Sequence, residues 1–251
     1  MIGTYIVATY NLMKPLLTII LTLQIGHILG QPTDHFLLPE IIKEGQTIAD
    51  FIPDKWSILD STTGDLNHDN RMDMAIVLQS KDSLETQYFF EYEGEVKVNE
   101  FKRKRYQRRI LLIIFKDSLT NKFKLIEQSN TIILCHENSK SEDPFKEVKI
   151  DNGLLKFLYG HYSINNSYQY FFKYKNGEFI LSRAYWHLGN SNVRQTHNFD
   201  FETKMWLKTV SELKTGQIFK ETSIDLNEIQ IQTIKTFERP FKLFVGEYIY
   251  L

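Results

Sequence analysis

A single cysteine, Cys135, stands among 251 residues. That excludes an intramolecular disulfide and any thiolate metal site. Its place in the run Thr131-Ile132-Ile133-Leu134-Cys135 marks it as an inert, buried thiol on a strand. Charge of one sign is also missing: 30 basic and 31 acidic residues leave a formal net charge of -1. No global field therefore draws the chain toward nucleic acid or acidic substrates. Signatures of catalysis are absent as well. The seven histidines, at 27, 35, 68, 136, 161, 187 and 197, form no HExxH or HxH pair. There is no GxSxG elbow, no glycine-rich phosphate loop and no Cys–His partnership.

What the chain has in quantity is apolar and aromatic. Hydrophobic residues make up 42% and aromatics 14%, with 13 Tyr and 18 Phe, which favours strands over helices. The predicted fold is mainly β: antiparallel meander or sandwich-like sheets, with a short N-terminal helical segment after a signal peptide. Three parts are expected: a signal peptide over 1–30, an N-terminal β-rich part over 31–135, and a C-terminal antiparallel meander over 136–251. The last two make either one domain or two.

The stretch with most chemistry is Gly64-Asp65-Leu66-Asn67-His68-Asp69-Asn70-Arg71-Met72-Asp73. Oxygen-bearing side chains at Asp65, Asn67, Asp69 and Asp73 recur on alternate positions, and the gap at Arg71 is filled by its backbone carbonyl. A hard cation such as calcium takes six to eight oxygen ligands in flexible geometry, and a tight loop with this spacing offers them. Asn70 stands where an EF-hand loop has its turning glycine, and asparagine tolerates a left-handed backbone. Ile76 stands where an EF-hand has its bidentate glutamate, so the loop enters an apolar strand and not a helix. The expected ligands of a structural Ca2+ are Asp65, Asn67, Asp69, Arg71 and Asp73. A turn crowded with Asp and Asn for backbone reasons is the plainer alternative.

With Ile58-Leu59-Asp60 leading in, this loop resembles the calcium loop of FG-GAP, or VCBS, repeats. Those repeats are blades of extracellular β-propellers, in which the ion stiffens a turn between strands. The resemblance spans about twenty residues, a single copy, whereas a propeller needs about four blades; it implies a local ion site. A looser resemblance runs from Trp56 to Trp206. The segments RILLIIFKD, DPFKEVKIDNGLLKFLYG, YQYFFKYKNGEFILSRA and HNFDFETK are similar to an uncharacterised family of exported bacterial proteins. That resemblance implies export and a β-rich fold, and supplies no reaction. The family's Gly-Gly-Ser and Trp residues are replaced here by Gly160-His161-Tyr162-Ser163-Ile164.

Lys14 followed by the apolar stretch Pro15–Gly30 has the layout of a secretory signal peptide, with cleavage expected near Gly30 and Met13 as a candidate true start. Gln24 and His27 interrupt the stretch, which is shorter than the ~20 residues of a membrane helix. An uncleaved anchor is the alternative, and membrane association is expected in that case alone. Without a cysteine after the stretch, a lipoprotein is excluded. Export suits the loop, because calcium sites of ~10⁻⁴–10⁻³ M affinity serve where calcium is plentiful.

Farther along, Glu40–Ala49 reads as a helix ended by Pro53, and Trp56–Leu59 and Met74–Gln79 read as strands. Residues 80–87 read as polar connection, and Tyr88–Tyr92 as another strand. The basic run 102–109, Lys-Arg-Lys-Arg-Tyr-Gln-Arg-Arg, reads as a solvated gatekeeper before the strand Ile110–Phe115. Phe123–Ile126 and Thr131–Cys135 read as a pair. Asn152-Gly153 and Asn176-Gly177, each between alternating apolar runs, predict tight hairpins. Tyr185, Trp186 and His187 with Tyr159, His161 and Tyr162 offer either a sugar-stacking platform or ordinary core packing. The function expected is a non-catalytic binding or envelope-associated module with an unknown envelope or extracellular ligand. The alternative is a secreted hydrolase acting on an envelope polymer or glycan through a carboxylate pair.

Overall fold

Short apolar runs separated by Asn-Gly and Asp-rich turns set up consecutive hairpins, and the chain folds accordingly. The computed structural model describes residues 38–88, 102–135, 143–161, 166–189, 192–246 and 249–251. The signal peptide, the Met13 start and residues 89–92 of the expected Tyr88–Tyr92 strand lie outside these residues. Among those described, no helix is long and apolar enough to cross a membrane.

Fourteen strands are described, and every pairing between them is antiparallel. The first sheet holds β1 (Glu44–Gly45), β2 (Trp56–Gly64), β3 (Asp73–Tyr88), β4 (Lys102–Lys116) and β5 (Phe123–Ser129), in the order β1-β5-β4-β3-β2. The second is a plain meander. It runs from β6 (Phe145–Asp151), β7 (Leu154–His161), β8 (Asn166–Lys175) and β9 (Glu178–Gly189) to β10 (Val193–Asp200), β11 (Met205–Glu212) and β12 (Ile218–Asp225). β13 (Phe244–Gly246) and β14 (Ile249–Tyr250) form a small ribbon.

One core joins the two large sheets. Ala75, Val77, Leu111, Ile113 and Phe115 from the first share it with Leu155, Phe157, Tyr159, Tyr170, Phe172, Phe199 and Trp206 from the second. Phe115 meets Tyr174 and Phe179 edge-on, with ring centroids 5.0 and 6.2 Å apart. The other face of β3 and β4 is closed too: Ile76, Leu78, Ile110, Leu112 and Ile114 are all fully buried. A strand buried on both sides needs apolar residues without alternation, which explains why 74–78 and 110–115 read as unbroken hydrophobic runs.

Both Asn-Gly turns form as expected. Asn152 and Gly153 have φ of 51° and 73°, and Asn176 and Gly177 have 53° and 85°. Two successive positive φ values define the type I′ turn that matches strand twist.

Several expectations fail for physical reasons. No α-helix forms over Glu40–Ala49. Glu44 and Gly45 pair with Lys124 and Phe123 of β5, and a single 3-10 turn follows at Ile48–Phe51, closed by a Thr47–Asp50 capping box. Gly45 in the middle of the segment weakens a helix, and the open edge of β5 offers a ladder instead. Residues 80–87 are not a plain connection, and the basic run is itself strand: 83–88 pair with 102–107 as extensions of β3 and β4. Nor is Thr131–Cys135 a strand. β5 pairs with β4, and Ile132 and Ile133 turn into the core from an irregular segment held by Ser129. Cys135 is half-buried, and burial pushes its thiol pKa up, which keeps it inert at neutral pH.

Candidate metal centre

The loop between β2 and β3 closes a hairpin whose last pair is Gly64 opposite Asp73. β2 lies beside β6, the first strand of the other sheet, and the two edges do not share a backbone ladder. Instead, side chains of β2 accept from the β6 backbone: Val148 N–H donates to Asp60 Oδ2 at 2.8 Å and Ile150 N–H to Thr62 Oγ1 at 3.1 Å. Alternation along β2 points these oxygens at β6, and they satisfy edge donors that would otherwise invite another strand. Gly64 completes the approach, since a Cβ there would overlap the Ile150 side chain. The loop is thus carried to the tip of the β6–β7 hairpin.

Within the loop, the acidic side chains first bind the loop's own amides. Asp65 accepts from Asp69 N–H (3.2 Å) and Asn70 N–H (2.8 Å), one on each oxygen. Asn67 Oδ1 accepts from Asp69 N–H at 3.0 Å, and Asp69 Oδ1 from Arg71 N–H at 2.9 Å. Asn67 Nδ2 donates to Asp69 Oδ2 at 3.2 Å. His68 and Asn70 both take φ of 62°. The left-handed backbone expected at Asn70 is present, and the one at His68 carried no signal in composition.

Asp73 differs from the others. It is fully buried, its Oδ2 accepts from Leu66 N–H at 2.9 Å, and its Oδ1 has no hydrogen-bond partner. Burial is the main reason its pKa rises, to about 6. The charges of Asp69 and Asp65 push the same way, against the Leu66 amide and a Lys116 amide that stops short of hydrogen-bond geometry. A bare carboxylate oxygen in such a place is costly. It is the donor atom in this loop that a cation fits best. The backbone brings Asp65, Asn67, Asp69, Arg71 and Asp73 into one turn, with Asp73 directed into it through Leu66. Among the described residues, though, no three His, Cys, Asp or Glu side chains stand ready to hold a metal ion. The outer oxygens are turned to loop amides.

Among the described residues, the aromatic platform is not assembled. Tyr159 is fully buried and its hydroxyl donates to the Ile132 carbonyl. Trp186 turns inward, stacked on Tyr168 at 5.7 Å and against the buried His197 at 4.4 Å. Tyr185, one residue earlier, takes the opposite side of the strand and packs on Phe171 at 5.4 Å. Tyr162 and the side chain of His161 lie outside the description.

The basic run hid another interaction. Arg109, 2% exposed, makes a bidentate pair with Asp143, and also donates to the Leu134 carbonyl and Gln79 Oε1. Sequence spacing gave no sign that one of six clustered bases would be internal. The chain matches no family model, no curated protein and no solved structure.

Proposed function

We propose that this is an exported, non-catalytic binding or envelope-associated β protein whose 65–73 loop holds one structural calcium ion. Asp65, Asn67, Asp69, the Arg71 carbonyl and Asp73 are the ligands. The observation that supports the ion is the unpaired, fully buried Oδ1 of Asp73. A buried carboxylate left without a partner is stable beside a cation and costly without one. The loop would then fasten the β2–β3 turn to the β6–β7 hairpin, a structural task, since every donor is a protein group. FG-GAP-like spacing and the leader are consistent with a calcium-rich compartment outside the cytoplasm.

The hydrolase alternative draws less support. A carboxylate pair works by separating the roles of acid and base, usually through burial of one partner. Asp225 and Glu228, the acids that share a concavity of about 530 Å³, are both exposed.

The test is a thermal melt of the purified protein with calcium, with magnesium and with chelator. Calcium raises the midpoint, by about 2.7 kcal/mol of stability at a hundredfold excess over Kd. Magnesium substitutes poorly, because it demands tight octahedral geometry. Asp69→Ala removes the increase and leaves a folded protein. A melt indifferent to chelator, with no calcium by elemental analysis, makes the loop an ordinary Asx turn.

A further inference from the structure

Where β11, β12 and β13 come together, the fold leaves a concavity of about 530 Å³. That is within the ~300–1,000 Å³ typical of sites for small organic molecules. The apolar surface it offers is that of the half-buried Ile224 and Ile229; Trp206, fully buried, and Val245, 4% exposed, contribute almost none, and Phe244, 51% exposed, stands at its rim. The remaining side chains on its wall are Asp225, Asn227 and Glu228. Among the described residues that line it, none is basic.

Two features of the wall point the same way. Asp225 is held in place by Asn227, whose N–H and Nδ2 each donate to one carboxylate oxygen at 2.6 Å. Glu228 is exposed and makes no ion pair among the described residues. Two carboxylates without a protein cation, beside the aliphatic surface of Ile224 and Ile229, complement a positive group with an apolar body. A half-exposed aromatic ring at the rim adds an attractive surface for that charge, because the ring's quadrupole favours cations. An anion would face both carboxylates, and a neutral solute would leave them unanswered.

We propose that this concavity binds a small organic ammonium ion, its alkyl body against Ile224 and Ile229 and its head toward Asp225, Glu228 and Phe244. The site is built from strands remote in sequence from the 65–73 loop. With calcium held constant in the assay, its failure leaves the ion reading of that loop untouched.

The experiment is titration of the full-length protein with butyltrimethylammonium, butanesulfonate and butanol, followed by calorimetry and by tryptophan fluorescence. Saturable binding of the ammonium, with a change in emission and weakening in high salt, is expected, and the sulfonate should not bind. Asp225→Asn with Glu228→Gln should weaken the ammonium at least about tenfold, the scale of losing a charge partner. Phe244→Ala should weaken it about threefold or more. All three side chains are exposed, so the variants should melt like the parent, and the melt is recorded alongside. Equal binding of ammonium and sulfonate, no saturable ammonium binding, or ammonium binding indifferent to the double variant would each overturn the proposal.

Discussion

The imidazole of His68 lies over Gly153, in the space where a side chain on that residue would go. One comes from the Asp-rich loop, the other from the tip of the β6–β7 hairpin. Two turns far apart in sequence therefore share a surface, and Gly153 is needed there twice, for its φ of 73° and for its missing Cβ.

Gly177 is the matching control. It has a φ of 85° in an equivalent turn, and a Cβ there would meet nothing within 4 Å. Gly177→Ala should cost about 1 kcal/mol and Gly177→Val about 1–2, the strain of a left-handed backbone alone. Gly153→Ala should cost at least about 1 kcal/mol more than Gly177→Ala. Adding His68→Ala should recover part of that excess in urea melts. Equal losses at the two glycines would mean that the loop does not pack on the hairpin.

Asp60 and Thr62 cap the β6 edge, so their loss should be felt across the sheet boundary. Thr62→Val should cost about 0.5–1.5 kcal/mol and Asp60→Ala about 1–3, because each leaves an amide of β6 without its acceptor. Hydrogen exchange gives the sharper reading. The Val148 amide should exchange faster in Asp60→Ala and the Ile150 amide in Thr62→Val. Unchanged protection at both amides would refute the contact.

Arg109 and Asp143 should respond asymmetrically. Arg109 is 2% exposed and Asp143 32%. Asp143→Ala leaves a buried guanidinium without its counter-charge and should cost about 3–5 kcal/mol. Arg109→Met leaves a carboxylate that water can reach, beside an apolar chain of similar length, and should cost less. Chemical denaturation of the two variants measures the difference, and a larger loss in Arg109→Met would contradict this reading.

Asp73 predicts a pH dependence in chelator. Its native pKa is raised to about 6, above the value of 3.8 for a free carboxyl. Between those values the native state holds a proton that the unfolded chain has released. Stability therefore falls as pH rises from about 4 to about 6, by on the order of 2–3 kcal/mol, and stays lower above. Asp73→Asn should remove that portion of the slope in melts taken across the window. Parallel profiles for parent and variant would show that Asp73 does not carry the penalty.

The residues whose structure was legible beforehand are those governed by their immediate neighbours. Asn152-Gly153 and Asn176-Gly177 turn as type I′ because few other dipeptides accept two positive φ values. Asn70 adopts its left-handed backbone for the same reason. The misreadings have a common origin. Glu40–Ala49 has helix-forming residues but lies at a sheet edge, and the polar residues 80–87 read as loop until β4 is there to pair with them.

Local conformational energy, written in the order of residues, determined that this chain is antiparallel β, where its hairpins turn, and that oxygen donors crowd into 65–73. Only the tertiary structure decided that Asp73 would be buried with one oxygen unpaired, that Arg109 alone among the described side chains of the basic run would be drawn inside, and that His68 would rest on Gly153. Those outcomes join residues as far apart as His68 and Gly153. They exist once one sheet packs on the other, because burial is a property of what covers a residue and not of what precedes it.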